Sequence, residues 1–353
     1  MKKKIKAIIL FSGGLDSILA DKILEEQKMN YLAPKGRGIP SGKFFRQMYP
    51  RRRAARYLCS EIKLLGITFK SYFFNEEQAK KAAKQIKLPL KVIDFSKEHL
   101  NIVKNPKYGY GKTMNPCIDC HILMLRTTKR IMKKEKFDFV ITGDVLGERP
   151  MSQNKQALKL IEKESSLAGY LLRPLSAKLL NQTIPEKLGW VKRESLLDIS
   201  GRSRKRQIAL AEKYKIREYP TPAGGCLLTD LEFSKRLKEL LKIFPKCAGN
   251  DIELLKLGRH FCSAFYGPKG EGGRGAKIII GRNEEENKKI KKLKKKKDIL
   301  IEMKNYVGPL TLIRSYGKGK IPEKLIEKAK NLTQYYSTKA RYKKDVEFRI
   351  KQN

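Results

Sequence analysis

The first seventeen residues constrain this chain more than any other stretch. Residues 5–11 (IKAIILF) form a short, mostly apolar run, and SGGLDS at 12–17 leads into a helix-like segment from Leu15 to about Gln27. An apolar strand that feeds a glycine turn and then a helix is the opening unit of a parallel-sheet α/β domain. Two glycines let the backbone bend closely around phosphate, while Ser12, Ser17 and the N–H groups of the helix start supply donors. The turn has neither the GK[ST] of a Walker A loop nor a GxGxxG, which argues against a lysine on the γ-phosphate and against a dinucleotide.

Further strands are predicted over 67–74, 90–95, 137–142 and 170–172, with helices over 76–86 and 121–134 between them. This βα alternation suits a crossover sheet over 1–170, continued over 171–245 by shorter elements that carry Cys226. A basic insertion at 31–60 interrupts it, with eight Lys or Arg and no Asp or Glu. A break is predicted near 245–250. Residues 250–353 then read as a separate, smaller α+β domain with a basic surface, with strands at 276–280, 299–303 and 310–315. Its KKIKKLKKKK run at 288–297 is either a solvated helix face or a track for a phosphate backbone.

Charge points the same way. In 353 residues, 79 Lys and Arg stand against 36 Asp and Glu, a formal +43. Such an excess repels itself unless part of it faces a polyanion, nucleic acid first and an anionic membrane surface second. Six unevenly spaced cysteines are too few for a disulfide scaffold, so a reducing, cytoplasmic setting is expected. The N-terminal apolar run passes straight into the glycine turn without a cleavage site, and no run approaches the roughly eighteen apolar residues of a membrane span, so neither an export signal nor a membrane partner is expected.

NPCIDCH at 115–121 supplies Cys117 and Cys120, and Cys226 stands in PTPAGGCLLTD, a loop rich in Pro and Gly. Three loop-borne thiols suit a [4Fe-4S] cluster with one open iron, zinc with a fourth ligand such as His121, or thiol chemistry in which one cysteine carries a persulfide and another resolves it. The residues alone leave these three open. The Cys-x-x-Cys-His string also matches covalent haem attachment, which fits poorly with a chain lacking an export signal. Asp144 follows the predicted strand 137–142, at the carboxyl edge where ligands bind in open α/β sheets; a turn or helix cap is its plain alternative. Arg149, Ser152 and Gln153, and the basic group Arg202, Arg204, Lys205 and Arg206, are candidates for contact with substrate or phosphates.

SGGLDS resembles the PP-loop of the N-type ATP pyrophosphatases, which cleave ATP between its α and β phosphates. The resemblance implies ATP held by Ser12, Gly13, Gly14, Asp16 and Ser17, with Asp16 positioning ATP and Mg2+. NPCIDCH, TGDVLGERPMSQN at 142–154, LLRPLSAKLL, SGRSRKRQ and YPTPAGGCLLTD are together similar to the tRNA-thiolating PP-loop enzymes. They look closest to a thiouridylase-like group related to the 2-thiouridylases and to the cluster-dependent thiouridine synthetases. The match covers about 5–235 apart from the insertion.

This likeness implies an ATP-dependent tRNA sulfurtransferase. It would adenylate a uridine carbonyl oxygen and replace that oxygen with sulfur from sulfide or a sulfur-donor protein. Asp16, Asp144, Cys117, Cys120 and Cys226 would be catalytic, with the three cysteines as ligands of a [4Fe-4S] cluster and zinc or no metal as alternatives; a homodimer is left open. The chain is expected to lack the separate N-terminal RNA-binding domain of the 4-thiouridine synthetases and the zinc-finger pairs of thermophile 2-thiouridine enzymes. AKIIIGRNEEEN near the C-terminus resembles the small RNA-associated domain of ribosome quality-control factors. Two rival readings keep the loop but change the rest: an amine or ammonia nucleophile, or a non-catalytic RNA-binding protein with a nucleotide fold.

Overall fold

The computed structural model describes residues 4–30, 62–220, 225–265, 274–316 and 320–352. The predicted insertion at 31–60, with Arg51 to Arg53 and Cys59, lies outside them. The chain divides into two compact units, Met1–Cys226 and Leu227–Asn353.

In the first unit, β1 (Ile5–Leu10) pairs in parallel with β2 (Ile62–Lys70) on one side and β4 (Phe139–Thr142) on the other. β3 (Leu90–Asp94) and β5 (Leu171–Leu172) complete a five-stranded parallel sheet in the order β3-β2-β1-β4-β5. The apolar run of β1 is required by its place. Ile5, Ala7 and Ile9 join one core, while Ile8 packs on the opposite face with Ile67, Phe69 and Phe95, so both faces of the strand are covered. Each fully buried aliphatic side chain there contributes about 1.5–3 kcal/mol.

Helices α1 (Leu15–Asn30), α2 (Glu77–Gln85), α3 (Ser96–Lys104), α4 (Cys117–Lys134) and α5 (Lys155–Glu164) cover the sheet. A four-residue α6 (Ile184–Lys187) and α7 (Lys205–Lys213) follow. Helix α7 is tied to α1 by the Tyr214 hydroxyl, which donates to Glu26 Oε2 at 2.5 Å, and by Lys213 to Glu26 Oε1 at 3.2 Å. The second strand begins at Ile62 rather than at the expected 67, because its polar-spaced start, Ile62 and Leu64, buries against the β1 core.

The second unit holds a five-stranded antiparallel sheet in the order β10-β8-β9-β7-β6, formed by β6 (Arg259–Phe265), β7 (Arg274–Ile280), β8 (Ile299–Met303), β9 (Thr311–Ser315) and β10 (Phe348–Gln352). Side chains alternate between two cores. Ile278, Ile280, Ile299, Ile301 and Ile313 meet Leu325 and Ala329 of α11 (Glu323–Tyr335). Ile279, Leu300 and Leu312 meet Leu254 of α9 (Gly249–Leu255) and Ile290 of α10 (Glu284–Leu293) on the other face. The two-residue period of the strands thus builds a helix layer on each side.

The unit starts at Leu227, ahead of the break expected near 245–250, because α8 (Leu231–Ile243) packs on this sheet. Fully buried Lys277 of β7 donates to the Arg236 carbonyl of α8 at 3.2 Å and lies 3.6 Å from Glu239. Phe244 stacks on Tyr316 with centroids 5.1 Å apart. Buried Arg314 links β9 to Asp298 at 2.6 Å and to Asp251 of α9 at 3.1 Å. No described helix is long and apolar enough to cross a membrane.

Candidate active site

The sheet order changes direction at β1, which is flanked by β2 and by β4. In open α/β sheets the crevice beyond the carboxyl ends of such strands receives the ligand. Here that edge carries the SGGLDS turn after β1 and Gly143 and Asp144 after β4. Gly13 has φ +77°, and a β-carbon there would stand 2.6 Å from the Gln78 carbonyl oxygen at the start of α2. A residue with a side chain fits neither the conformation nor the space. Gly14 N–H donates to Ser12 Oγ at 3.3 Å, and Ser17 Oγ donates to the Gly14 carbonyl at 2.8 Å, so both serines brace the turn. First-turn N–H groups of a helix have no partner within it, which leaves the start of α1 suited to anionic oxygens.

Asp16 stands on this first turn. Burial pushes its carboxyl above the usual range, against the pull of Arg204 and Arg149. Its Oδ2 lies 3.9 Å from the Arg204 guanidinium, and its Oδ1 is buried with no hydrogen-bond partner. Glu148, in the loop after Asp144, is raised in the same way, by burial and then by the Asp16 charge, and its Oε2 also lacks a partner. Gln207 of α7 is fully buried and neither amide atom makes a hydrogen bond, yet the amide lies near enough to Asp16 to lower its pKa. Arg204 and Arg149 were legible as basic candidates. Glu148 and Gln207 were not, since only the fold brings them to Asp16.

Asp144 is oriented by its neighbours. Its Oδ2 accepts from Thr142 Oγ1 at 2.8 Å, its Oδ1 accepts from Gln153 Nε2 at 3.2 Å, and Arg173 lies 3.5 Å away. Burial raises its pKa, but the His121 and Arg173 charges outweigh this and leave the carboxyl below its ordinary range. His121 is depressed by burial, and the charges acting on it are Asp144, Arg149 and Arg173. Arg206 pairs outward with Asp198 at 2.6 Å, and Ser152 is buried, so of the basic group it is Arg204 that faces the turn.

The cysteine pair stands on a helix and not, as expected, in a loop before one. Cys117 is the first residue of α4, after Pro116 at the cap. Asp119 accepts the N–H groups of Lys107 and Tyr108 at 3.1 and 3.0 Å, which ties the preceding loop to the helix start. Three-residue spacing then sets Cys117 and Cys120 on neighbouring positions of one helix face. Helix α4 runs from Cys117 back to the amino end of β4, which pairs in parallel with β1, so the pair lies toward the sheet edge that carries the SGGLDS turn.

Asn115 Nδ2 donates to Cys117 Sγ at 3.2 Å. The Cys120 thiol is pushed well above its ordinary pKa by burial, and next by the Cys226 and Cys117 charges. Cys117 and Cys226 therefore both lie near enough to act on Cys120. Among the described residues no three His, Cys, Asp or Glu are grouped so that they could hold a metal ion. Cys247 is buried in the second unit, and Cys262 lies on β6 opposite Lys277.

Residues 69–222 match the family model described as tRNA methyl transferase HUP domain, and 271–353 match that of the NFACT protein RNA binding domain. The tRNA-specific 2-thiouridylase MnmA of Caldicellulosiruptor saccharolyticus is 25% identical over 68% of this chain and 60% of its own length. The chain thus spans about three fifths of the curated relative it matches. A predicted subunit of a tRNA methyltransferase from Methanocaldococcus jannaschii is similar over 59% of this chain and 76% of its own, at 14% identity and a TM-score of 0.33. The C-terminal part of a fibronectin/fibrinogen-binding protein from Streptococcus suis covers 67% of this chain and 84% of its own, at 15% identity and a TM-score of 0.20. In the HUP-domain match, the thiouridylase relative and the SGGLDS turn, the chain is similar to the PP-loop, tRNA thiouridylase-like proteins.

Proposed function

We propose that this protein is an ATP-dependent tRNA sulfurtransferase that makes thiouridine. The observation that supports the reading is topological: the SGGLDS turn follows β1 and the Cys117–Cys120 helix start precedes β4, both toward the carboxyl edge of one parallel sheet. A nucleotide-activation turn beside a thiol pair is what oxygen-for-sulfur exchange needs. The two thiols also separate this reading from an amine-using relative, whose nucleophile requires no cysteine.

ATP lies over the turn, with its phosphates on the N–H groups at the start of α1. Arg204 and Arg149 draw charge toward the pyrophosphate that leaves. Asp16 and Glu148, each with an unpartnered buried oxygen, would hold a Mg2+ ion, which would supply charge neutralisation for the two carboxylates and the phosphates. The uridine carbonyl oxygen attacks the α-phosphorus and pyrophosphate departs, which turns a poor leaving oxygen into part of a phosphate ester. Asp144, fixed by Thr142, Gln153 and Arg173, orients the base.

Sulfur transfer is assigned to thiols. Cys117, at a helix N-terminus with an amide donor on its sulfur, is assigned the role of sulfur carrier. A persulfide donor loads it. Its terminal sulfur attacks the activated ring carbon, and AMP leaves with the former carbonyl oxygen. The Cys120 or Cys226 thiol then attacks the inner sulfur, which yields thiouridine and a disulfide, and a thiol reductant reopens that disulfide.

The test is to incubate the full chain with tRNA, ATP and a persulfide donor. Thiouridine and pyrophosphate are expected in equal amounts, with both lost in Asp16→Ala. Pyrophosphate without thiouridine in the presence of ammonia would favour the amine reading.

A further inference from the structure

We infer that the outer face of α11 and the loop after it bind unpaired nucleotides by stacking, so that the C-terminal unit is a reader of single-stranded RNA. The inward side of α11 is used up in packing. Leu325, Ala329 and Thr333 are buried, and Leu325 and Ala329 meet the sheet isoleucines. The outward side presents Lys324, Glu327, Lys328, Asn331, Leu332 and Tyr335 around a shallow concavity, and the one carboxylate among them, Glu327, is paired with Lys330 at 2.6 Å.

Two tyrosines here are set in water. Tyr335 is 55% exposed and Tyr342 is 89% exposed. Leaving large rings in solvent forgoes burial that a core would provide, so an exposed pair beside a basic stretch calls for a partner. Tyr335 is also held in place before any ligand arrives. Its ring stands edge-on to Tyr336 at 5.1 Å, and the Arg341 guanidinium lies 5.0 Å from its centroid while Arg341 Nε donates to the Tyr335 carbonyl at 2.7 Å. Arg259 in turn lies 4.6 Å from the Tyr336 ring. Rings interleaved with guanidinium groups match a chain of bases and phosphates, because every base offers a π-face and every link a negative charge. Lys339, Lys343 and Lys344 flank Arg341 and Tyr342 in sequence and extend the positive field.

The lysine run at 288–297 fits that role less well than its composition suggests. Lys288 and Lys289 pair with Glu284 and Glu285 one turn back at 2.6 Å, and Lys295 pairs with buried Asp251 at 2.7 Å. No described aromatic ring interleaves with it. It is suited to add non-specific attraction, whereas the tyrosine face is suited to hold bases.

The inference rests on RNA being the partner, not on sulfur transfer. Its assay needs no ATP, so failure of either claim leaves the other measurable. Full-length protein is titrated with a fluorescent oligouridine and with a blunt RNA duplex, at several salt concentrations. Replacing Tyr335 and Tyr342 together by Ala is expected to weaken oligouridine binding at least ~10-fold, with the salt slope unchanged and duplex binding unaffected. The Phe pair, which keeps both rings, should bind within about twofold of the parent. Parental affinity in the Ala pair, an equal loss in the Phe pair, or competition by polyglutamate as strong as that by RNA would each overturn the proposal.

Discussion

Gly143 packs against the backbone of Asp16 so closely that a β-carbon at 143 would stand 2.7 Å from the Asp16 carbonyl carbon and 2.7 Å from the Ser17 nitrogen. The end of β4 therefore sets the start of α1. In Gly143→Ala the helix start must shift, because backbone has no rotamer to yield. Pyrophosphate release with RNA present should fall at least ~10-fold for a displacement near an ångström, while the fold survives. Parental activity would show that the turn does not need this support.

The two glycines of the turn should differ. Gly13→Ala forces a positive φ on alanine and meets the Gln78 carbonyl, whereas a β-carbon at Gly14 meets only the Ser12 hydroxyl at 3.3 Å. The left-handed conformation alone costs about 1–2 kcal/mol. Thermal denaturation should show a larger loss for Gly13→Ala than for Gly14→Ala; the reverse order would contradict the geometry.

Asp16 is a site of stored cost. A carboxyl whose pKa is raised in the folded state loses stability as pH rises from its unfolded value through the folded one, so at neutral pH the charge opposes folding. Asp16→Asn should raise the melting temperature at pH 7 while abolishing ATP-dependent activation, a trade seen where function requires an uncomfortable charge. A lower melting temperature would mean that the Arg204 contact outweighs burial.

The SGGLDS turn was legible because strand, turn and helix are consecutive, so a local pattern specifies the whole unit. The central strands were legible for a similar reason: Ile8, Ile141 and Ile313 sit in runs that only burial on two faces explains. Edge strand β10 was not, since its FRIKQ is largely exposed and is held by backbone pairing to β8. The helical start at Cys117 was hidden for a different reason: its anchor, Asp119, binds backbone of the preceding loop and sends no signal through hydrophobic period. Gln207 and Glu148 reach Asp16 only through tertiary folding, which a one-dimensional reading cannot supply.

The thiols of α4 should react at different rates. Burial and neighbouring charge keep Cys120 protonated, while Cys117 opens the helix with its sulfur hydrogen-bonded by Asn115. Mass spectrometry after brief alkylation at pH 7 should find Cys117 labelled before Cys120. Cys117→Ser should abolish thiouridine formation without stopping pyrophosphate release, whereas Cys247→Ser should leave both intact. Prior labelling of Cys120 would reverse the assignment of the sulfur carrier.

Acid should act through His99. It is buried among Phe73, Phe74 and Phe95, with its ring stacked on Phe95 at 5.0 Å, and burial lowers its pKa to about 4. The unfolded chain takes up that proton near the ordinary value of 6.5, so stability is full above it and declines as pH falls toward 4, by roughly 3 kcal/mol at most. Chemical denaturation of His99→Phe should show a flatter dependence between those limits. An unchanged slope would place the acid sensitivity elsewhere.

The central claim is that ATP activates the carbonyl oxygen which sulfur then replaces, and an isotope tests it directly. tRNA carrying heavy oxygen in its uridine carbonyls is incubated with the protein, ATP and a persulfide donor, and the AMP is weighed. The account predicts one heavy oxygen in AMP for each thiouridine formed. AMP free of label, alongside thiouridine, would contradict it.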